Sequence, residues 1–195
     1  MTTGATGRRV RADGLKNRQR LLDVAVQAFA EQGADVAPAT IAKLAGVGVG
    51  TLYRHFPTRE ALVEAAYRSD LAKLCERVPG LLVEHSAAAA LQIWMERCVD
   101  HAATKSALGA ALGAAVASEG ELQAQSRALL TEAVAVLLES GASDGSLRAD
   151  LSPDDVLISV AGIALATGDW GNRAQASRLL DLLMDGLTKG VTPPG

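Results

Sequence analysis

The sequence predicts an all-α fold, and three features of its composition support that prediction. Hydrophobic residues make up 49% of the 195-residue chain, enough for a sizeable core. Alanine and leucine dominate and aromatic residues reach only 3%, so local propensity favours helices nearly everywhere. No long alternation of β-branched residues competes with the helical pattern. We therefore expect a globular protein built from helices.

Residues 1–14 predict a flexible basic arm, because Arg8, Arg9 and Arg11 stand among small residues without helical periodicity. The arm could contact nucleic-acid phosphates or could simply keep the protein soluble. It contains no apolar segment, so we expect no signal peptide, and no later stretch is long enough to cross a membrane.

The first predicted helix runs from Leu15 to Gln32, and Gly33 provides its C-terminal stop. Its inward stripe consists of Leu22, Ala25, Val26 and Phe29. Near its N-terminus, Lys16, Arg18 and Arg20 could reach phosphates or remain plain surface charges. This helix is expected to support the segment that follows.

The stretch from Thr40 to Phe56 reads TIAKLAGVGVGTLYRHF and predicts a helix, a glycine turn and a second helix. Thr40 has the side chain of an N-cap. The expected buried face of the helix consists of Ile41, Leu44 and Ala45. Gly46 then ends the helix, because a residue without Cβ can adopt the left-handed conformation that turns the chain sharply.

In the second helix, Leu52 and Phe56 repeat at i and i+4 and are expected to point inward. The outward residues are then Thr51, Arg54 and His55, with Tyr53 near the boundary. A helix-turn-helix that presents hydroxyls and cations on its second helix is built to bind DNA.

The stretch from Leu22 to Leu62 closely resembles the DNA-binding signature of the TetR family of bacterial transcriptional regulators. The shared features are the threonine-led helix, the AGV turn, the GTLYRHF helix and a following helix that Thr58 caps. Gly48 and Val49 depart from the serine cap and polar residue that such proteins often carry there. The resemblance implies a three-helix DNA-binding head at 15–60, a connecting fourth helix at 61–80 and a C-terminal ligand-binding and dimerisation body at 81–195.

The resemblance, together with the outward positions, predicts the residues that contact DNA. Thr40 and Arg59 match positions that contact phosphates in the family. We expect Thr51 and Tyr53 to contact DNA, and Arg54 and His55 to bind phosphates. The predicted set is completed by Gly50, whose missing side chain lets the backbone approach the groove closely.

The charge distribution agrees with a DNA-binding head on a separate body. Residues 1–80 hold 12 Lys and Arg against 8 Asp and Glu, a balance of +4, whereas the remaining 115 hold 7 against 14, a balance of −7. The total of −3 hides this segregation. Chance asymmetry in an ordinary helical protein is the alternative explanation.

After Thr58 the fourth helix is predicted to run to about Val78, where Pro79 and Gly80 break it. The body helices are expected at 87–103, 106–118, 121–140, 154–166 and 173–188. The resemblance implies that the last two helices pair with their copies in a partner subunit, although their apolar residues could instead fill the monomer core. The predicted dimer contacts are Val156, Val160, Ile163, Leu179, Leu183 and Leu187.

Family resemblance also implies that a small molecule binds inside the body. The candidate pocket residues are Trp94, Met95, Cys98, His101, Leu108, Leu112 and Trp170, although for each one taken singly a place in the core is the stronger interpretation. Cys98 and His101 could begin a metal site with Cys75 or His85, but isolated ligands favour a buried helix face over a metal. No catalytic or cofactor-binding motif is present, so we expect no enzymatic activity and no cofactor.

These features predict a homodimeric, cytoplasmic regulator that binds a double-stranded operator, and isolated cysteines agree with a reducing compartment. We expect a repressor that a small hydrophobic ligand releases from DNA. A ligand-independent architectural protein, whose body only dimerises, is the alternative. A helical enzyme with an incidental resemblance is a third class, which nothing in the sequence supports.

Overall fold

The structure is a computed structural model that describes residues 4–33, 35–115, 119–168 and 172–188, and the side chains of 14–33, 35–103, 122–168 and 172–188. These residues form helices and their connections, with no strand among them, which confirms the all-α prediction. In chain order the helices are α1 (Gly4–Gln32), α2 (Pro38–Leu44), α3 (Val49–His55), α4 (Arg59–Glu76), α5 (Val78–Glu84), α6 (Ala87–Ala115), α7 (Glu119–Asp144), α8 (Pro153–Thr167) and α9 (Arg173–Thr188).

The chain divides into two compact units. The first, called the head, comprises Met1–Asp70 and Ala107–Ala117; the second, called the body, comprises Leu71–Ser106 and Ser118–Gly195. The sequence predicts a division at residue 80, whereas the observed divisions fall within helices. Two helices, α4 and α6, therefore belong in part to each unit.

The core of the head is formed by the inward faces of its helices. Its nearly fully buried apolar residues include Leu21, Leu22, Ala25, Phe29, Ile41, Leu52, Phe56 and Leu62. The predicted stripe of α1 is buried except for Val26, which is half-buried. Because each large apolar side chain gains about 1.5–3 kcal/mol on full burial, these residues hold the short helices α2 and α3 in place.

The start of α1 differs from the prediction. The sequence predicts a flexible arm over residues 1–14, but α1 begins at Gly4. Extending an existing helix fixes one residue for each new hydrogen bond, whereas starting a new helix fixes several residues for one bond. Residues 4–14 therefore add to a helix that residues 15–32 already form, although they are small and basic.

The sequence predicts Thr40 as the N-cap of α2, and this prediction is wrong. Thr40 is the third residue of that helix. The helix begins at Pro38, and the cap position is Ala37, which provides no side-chain hydrogen bond. Proline suits the first turn because its φ angle is already helical and the missing N–H needs no partner there. Leu44 was also expected on the buried face but is 59% exposed, and Ala42 is fully buried in its place.

The turn after α2 confirms the predicted role of Gly46. Its φ angle is +65°, in the region that favours glycine. The Gly46 N–H donates to the Lys43 carbonyl at 3.1 Å, and the Val47 N–H donates to the Ala42 carbonyl at 3.0 Å. This pair of bonds is a Schellman motif, which satisfies the free carbonyls at the helix end while reversing the chain.

The start of α4 is also as predicted, since Thr58 Oγ1 accepts a hydrogen bond from the Ala61 N–H at 3.1 Å. The pKa of Glu60 is lowered by a hydrogen bond from its own backbone N–H and by the Thr58 hydroxyl. The predicted end at Val78 is wrong: α4 ends at Glu76, and Val78 begins α5. Pro79 stands in the first turn of α5, where proline starts a helix and does not break one.

The body encloses a second core, to which α6, α7, α8 and α9 all contribute. The sequence predicts two helices at 87–103 and 106–118, but α6 is continuous from Ala87 to Ala115. Nothing between them breaks a helix, because the intervening residues include neither proline nor glycine. The predictions for α8 and α9 are confirmed within one residue at each end, with Pro153 opening α8.

Candidate functional site

The inward pair predicted for the recognition helix α3 is confirmed, but Tyr53, expected near the boundary, is more exposed than Thr51 and His55, which were expected to point outward. Leu52 and Phe56 are buried. On the remaining surface, Tyr53 is 44% exposed and Arg54 is exposed, whereas Thr51 and His55 are half-buried. A side chain must reach solvent to contact DNA, so Tyr53 and Arg54 are the most accessible of the predicted contacts. Thr51 and His55 offer only part of their side chains.

The surface near the start of α3 lacks side chains at Gly48 and Gly50. A Cβ added to either glycine would meet no atom within 4 Å. The packing of the head therefore gives no steric reason for glycine at position 50. The Arg54 Nε donates to the Gly50 carbonyl at 3.3 Å, which lays the arginine side chain back along the helix toward this bare segment.

The two predicted phosphate contacts outside α3 differ in accessibility. Thr40 is exposed. Arg59 is 35% exposed, and its Nη2 lies 3.7 Å from Asp35 Oδ1, too far for a hydrogen bond. Among the described residues, Arg59 Nε and Nη2 are buried without a hydrogen-bond acceptor. Arg59 thus keeps unused donors, but its approach to a phosphate competes with its attraction to Asp35.

Arg18 has a contact that the sequence does not predict. Its guanidinium carbon lies 5.3 Å from the centre of the Phe56 ring, within the range of a cation–π interaction. The contact joins α1 to the residue that follows α3. Arg18 therefore supports the position of the recognition helix, although local spacing reveals no such pairing because the two residues are far apart in sequence.

In the body, four of the candidate pocket residues form a buried stripe on α6. Trp94 and Met95 are fully buried, and Cys98 and His101 are nearly so. Burial raises the pKa of the Cys98 thiol well above its ordinary value, with a smaller contribution from the thiol of Cys75. The Cys98 thiol is therefore neutral at physiological pH and packs in this core as an apolar side chain.

Trp94 has an unusual environment for a buried indole. Its Nε1 is buried and has no hydrogen-bond acceptor within the described part of the chain. Buried tryptophan N–H groups usually find an acceptor, because leaving the donor unpaired costs free energy. The sequence predicts Trp94 as an apolar wall and gives no sign of this unmet donor.

Three of the predicted ligand contacts, Leu108, Leu112 and Trp170, lie outside the residues whose side chains the structure describes. Among the described residues, no group of three His, Cys, Asp or Glu side chains is placed to hold an ion.

The predicted dimer contacts differ in how far their own chain buries them. Val156, Val160 and Leu187 are buried in the core of their own body, and Ile163 and Leu183 pack against it. The prediction that the first three contact a partner subunit is therefore wrong, because this chain already covers them. Leu179 is half-buried.

The same two helices expose other apolar residues. Leu165 is 85% exposed, and Ile158 and Leu182 also project large apolar side chains into solvent. Around Ile158 and Leu165, small residues at Ala161, Gly162 and Ala166 are exposed at helical spacing. We call this set the outer face of α8 and α9. Helices with apolar residues on two sides carry both an inner and an outer contact surface.

The Gly46 turn and the accessible side of α3 place the protein in the class of helix-turn-helix DNA-binding regulators. No described helix is long and apolar enough to cross a membrane. Family models match both parts of the chain: "Bacterial regulatory proteins, tetR family" covers residues 21–66, and "Transcriptional regulator SbtR-like, C-terminal domain" covers 86–189. The protein belongs to the TetR family of bacterial transcriptional regulators, as the sequence resemblance implies.

Solved structures agree with this assignment. The crystal structure of the TetR transcriptional regulator SCO0520 from Streptomyces coelicolor has 47% sequence identity and a TM-score of 0.83, over 89% of this chain and 99% of that one. A TetR transcription regulatory protein from Mycobacterium vanbaalenii has 29% identity and a TM-score of 0.70, over 92% and 99% of the two chains.

Curated relatives match over shorter stretches. The HTH-type transcriptional regulator SAB2452 of Staphylococcus aureus (strain bovine RF122 / ET3-1) is 40% identical over 63 residues, which are 32% of this chain and 34% of that protein. The regulator SAR0097 of Staphylococcus aureus (strain MRSA252) is 34% identical over 82 residues, 40% and 42% of the two chains. The chain thus matches less than half the length of these relatives.

Proposed function

We propose that this protein is a homodimeric repressor that a small hydrophobic ligand releases from its operator. The observation that carries the proposal is the accessible surface of α3, where Tyr53 and Arg54 are exposed beside the bare backbone of Gly50. A short helix of this kind enters the major groove, which is wide enough to admit it. The basic balance of residues 1–80 favours the same polyanionic partner.

Within the operator complex, each predicted contact has a distinct part. Thr51 and Tyr53 face base edges, while Arg54 and His55 bind phosphates on either side. Outside α3, Thr40 and Arg59 add phosphate contacts at the starts of α2 and α4. Phosphate contacts set the register and the salt dependence of binding, and base contacts set the sequence preference.

Dimerisation through the outer face of α8 and α9 follows from its exposed apolar residues. Leu165, Ile158 and Leu182 would each gain about 1.5–3 kcal/mol from burial against a partner. A second copy of this chain is the natural occupant, because a two-fold axis brings the same apolar face to both sides of the interface. Two heads related by that axis can bind half-sites about 34 Å apart, or a multiple of that distance.

The ligand site lies in the body near the buried stripe of α6. Trp94 Nε1 needs an acceptor, which favours a hydrophobic ligand that carries a carbonyl, ether or hydroxyl oxygen. Met95 and Cys98 supply apolar walls, and His101 supplies a second polar group nearby. The contacts of Leu108, Leu112 and Trp170 with a ligand stay predictions.

Release from DNA works by a shift of conformational populations. α4 runs without interruption from the head into the body. A ligand that binds better to the state in which α4 holds the two heads apart lowers DNA affinity by its preference for that state. A coupling of 1–3 kcal/mol, the usual size, corresponds to roughly a 5- to 150-fold loss of affinity. We expect this regulation to take place in the cytoplasm.

The proposal is tested by titrating the protein–operator complex with hydrophobic compounds that contain an oxygen acceptor, with fluorescence anisotropy of the DNA as the signal. The operator fragment comes from selection of the protein on randomised duplexes. Release by a compound that binds one per subunit, together with a weaker response of Trp94→Phe, supports the ligand site. Trp94→Phe keeps the ring and removes only the donor.

If the compounds bind and the DNA affinity stays constant, the result favours the alternative hypothesis, an architectural protein whose DNA binding does not depend on a ligand. If the Trp94→Phe response equals that of the native protein, Trp94 belongs only to the core. Val83→Ala, on an exposed side chain of α5, is the matched control and should leave release unchanged.

A further inference from the structure

Val49 is an apolar side chain exposed on a surface that otherwise suits DNA. It is the first residue of α3 and is 40% exposed. Its neighbours Gly48 and Gly50 have no side chains that could cover the isopropyl group. Tyr53 follows at i+4 on the same side of the helix and is also exposed.

The packing of the head covers Val49 only in part and leaves 40% of the residue exposed. Leu52 and Phe56 already supply the buried contacts of α3. A protein or membrane partner would require a broad apolar patch, normally several hundred Å². Here the basic residues Lys43 and Arg54 are exposed close by in sequence. A partner that presents a small apolar group within a negatively charged surface suits Val49 beside these two cations.

We propose that Val49 reads the 5-methyl group of a thymine in each half-site of the operator. This inference rests on the proposed function, because it requires α3 to lie in the major groove. Of the four bases, only thymine presents a methyl group there, and apolar groups of side chains, including the methyl group of threonine, recognise it by contact. The bare glycines on both sides allow the close approach that a contact between two methyl groups needs. Val49 is then a specificity-determining residue.

The test replaces thymines of the selected operator one at a time by uracil, which differs only by the missing methyl group. Binding of the native protein, Val49→Ala and Val49→Thr is measured by fluorescence anisotropy. At one thymine in each half-site, uracil should weaken binding of the native protein about fourfold, the equivalent of one buried methyl group. Uracil in both half-sites should weaken it about fifteenfold, since the two contacts are separate.

The contribution of Val49 is isolated by comparing the variants. In Val49→Ala the preference for thymine over uracil should disappear at the same position, and in Val49→Thr, which retains one methyl group, it should be reduced. Circular dichroism verifies that the variants fold, as expected for an exposed position. Val83→Ala serves as the control and should keep the native preference.

Two results would overturn the inference while leaving the proposed function intact: no thymine whose methyl group matters, or a uracil effect that persists in Val49→Ala. An effect that persists there and disappears in Leu44→Ala would assign the contact to Leu44, which is a large apolar residue of α2 and is 59% exposed. Failure of selection to enrich any duplex would overturn the proposed function and this inference with it.

Discussion

Replacing Gly50 by alanine separates what the head needs for folding from what it needs for DNA binding. Gly50 is the second residue of α3, and a Cβ built on it meets no atom within 4 Å. Alanine is the better helix former by up to about 1 kcal/mol in a helix interior, and about half of that is expected near a helix end. The variant should therefore unfold at a slightly higher urea concentration than the native protein.

The effect on DNA binding should have the opposite sign. If the backbone of α3 lies against the wall of the groove at Gly50, the added methyl group has no room in the complex. Overfilling a close-packed contact costs about 1–3 kcal/mol, which corresponds to a 5- to 150-fold loss of operator affinity. The prediction is a more stable protein that binds its operator more weakly.

Urea unfolding followed by circular dichroism and operator binding followed by fluorescence anisotropy measure the two effects. Gly80→Ala is the matched control, because Gly80 also lies in the first turn of a short helix and its added Cβ meets nothing. The control should gain similar stability and keep full affinity. Native operator affinity in Gly50→Ala would refute the close approach of the backbone to DNA.

Three further predictions concern other parts of the structure. Arg54→Ala should weaken binding to every sequence alike and lower the slope of log affinity against log salt by about one. Thr51→Ala should instead change the preference among operators. A competition assay at several salt concentrations compares the two variants. Leu165→Glu should give a folded monomer in sedimentation analysis, because it places a charge in the outer face of α8 and α9. A dimer that persists would show that the interface lies on another surface. Arg18→Ala should lower the free energy of unfolding by about 0.5–1 kcal/mol through loss of the contact with Phe56, and an unchanged urea midpoint would contradict that role.

The head could be predicted from the sequence wherever a residue's own chemistry decides the local structure. Gly46 ends α2 because it can adopt positive φ, and Thr58 starts α4 because its hydroxyl accepts a backbone N–H. Leu52 and Phe56 are buried because they are large and apolar, and a spacing of four residues places them on the same side of the chain. The prediction for Thr40 failed because two signals compete within three residues, and Pro38 starts the helix before the threonine.

The dimer contacts show where periodicity is not enough. Both sides of α8 are apolar, so spacing defines two stripes without saying which one the chain itself covers. The stripe that includes Val156 and Val160 fits the core of the body, while Leu165 stays exposed. That choice depends on the packing of helices far apart in sequence, which local patterns do not contain.

Long-range pairings in the head were hidden for the same reason. The contact between Arg18 and Phe56 joins residues 38 positions apart, and Arg59 is drawn toward Asp35 across a turn and two helices. The unmet donor of Trp94 likewise becomes visible only when all of its neighbours are in place. The sequence identifies Arg18, Arg59 and Trp94 as candidates but does not assign their partners.

The central claim is that this protein binds a specific, two-fold symmetric operator, and selection on randomised duplex DNA at moderate salt tests it most directly. The proposal predicts enrichment of one inverted repeat whose half-site centres lie about 34 Å apart or a multiple of that distance. Sequencing of the bound duplexes gives both the repeat and its spacing. Binding that remains salt-sensitive and enriches no sequence would contradict the claim.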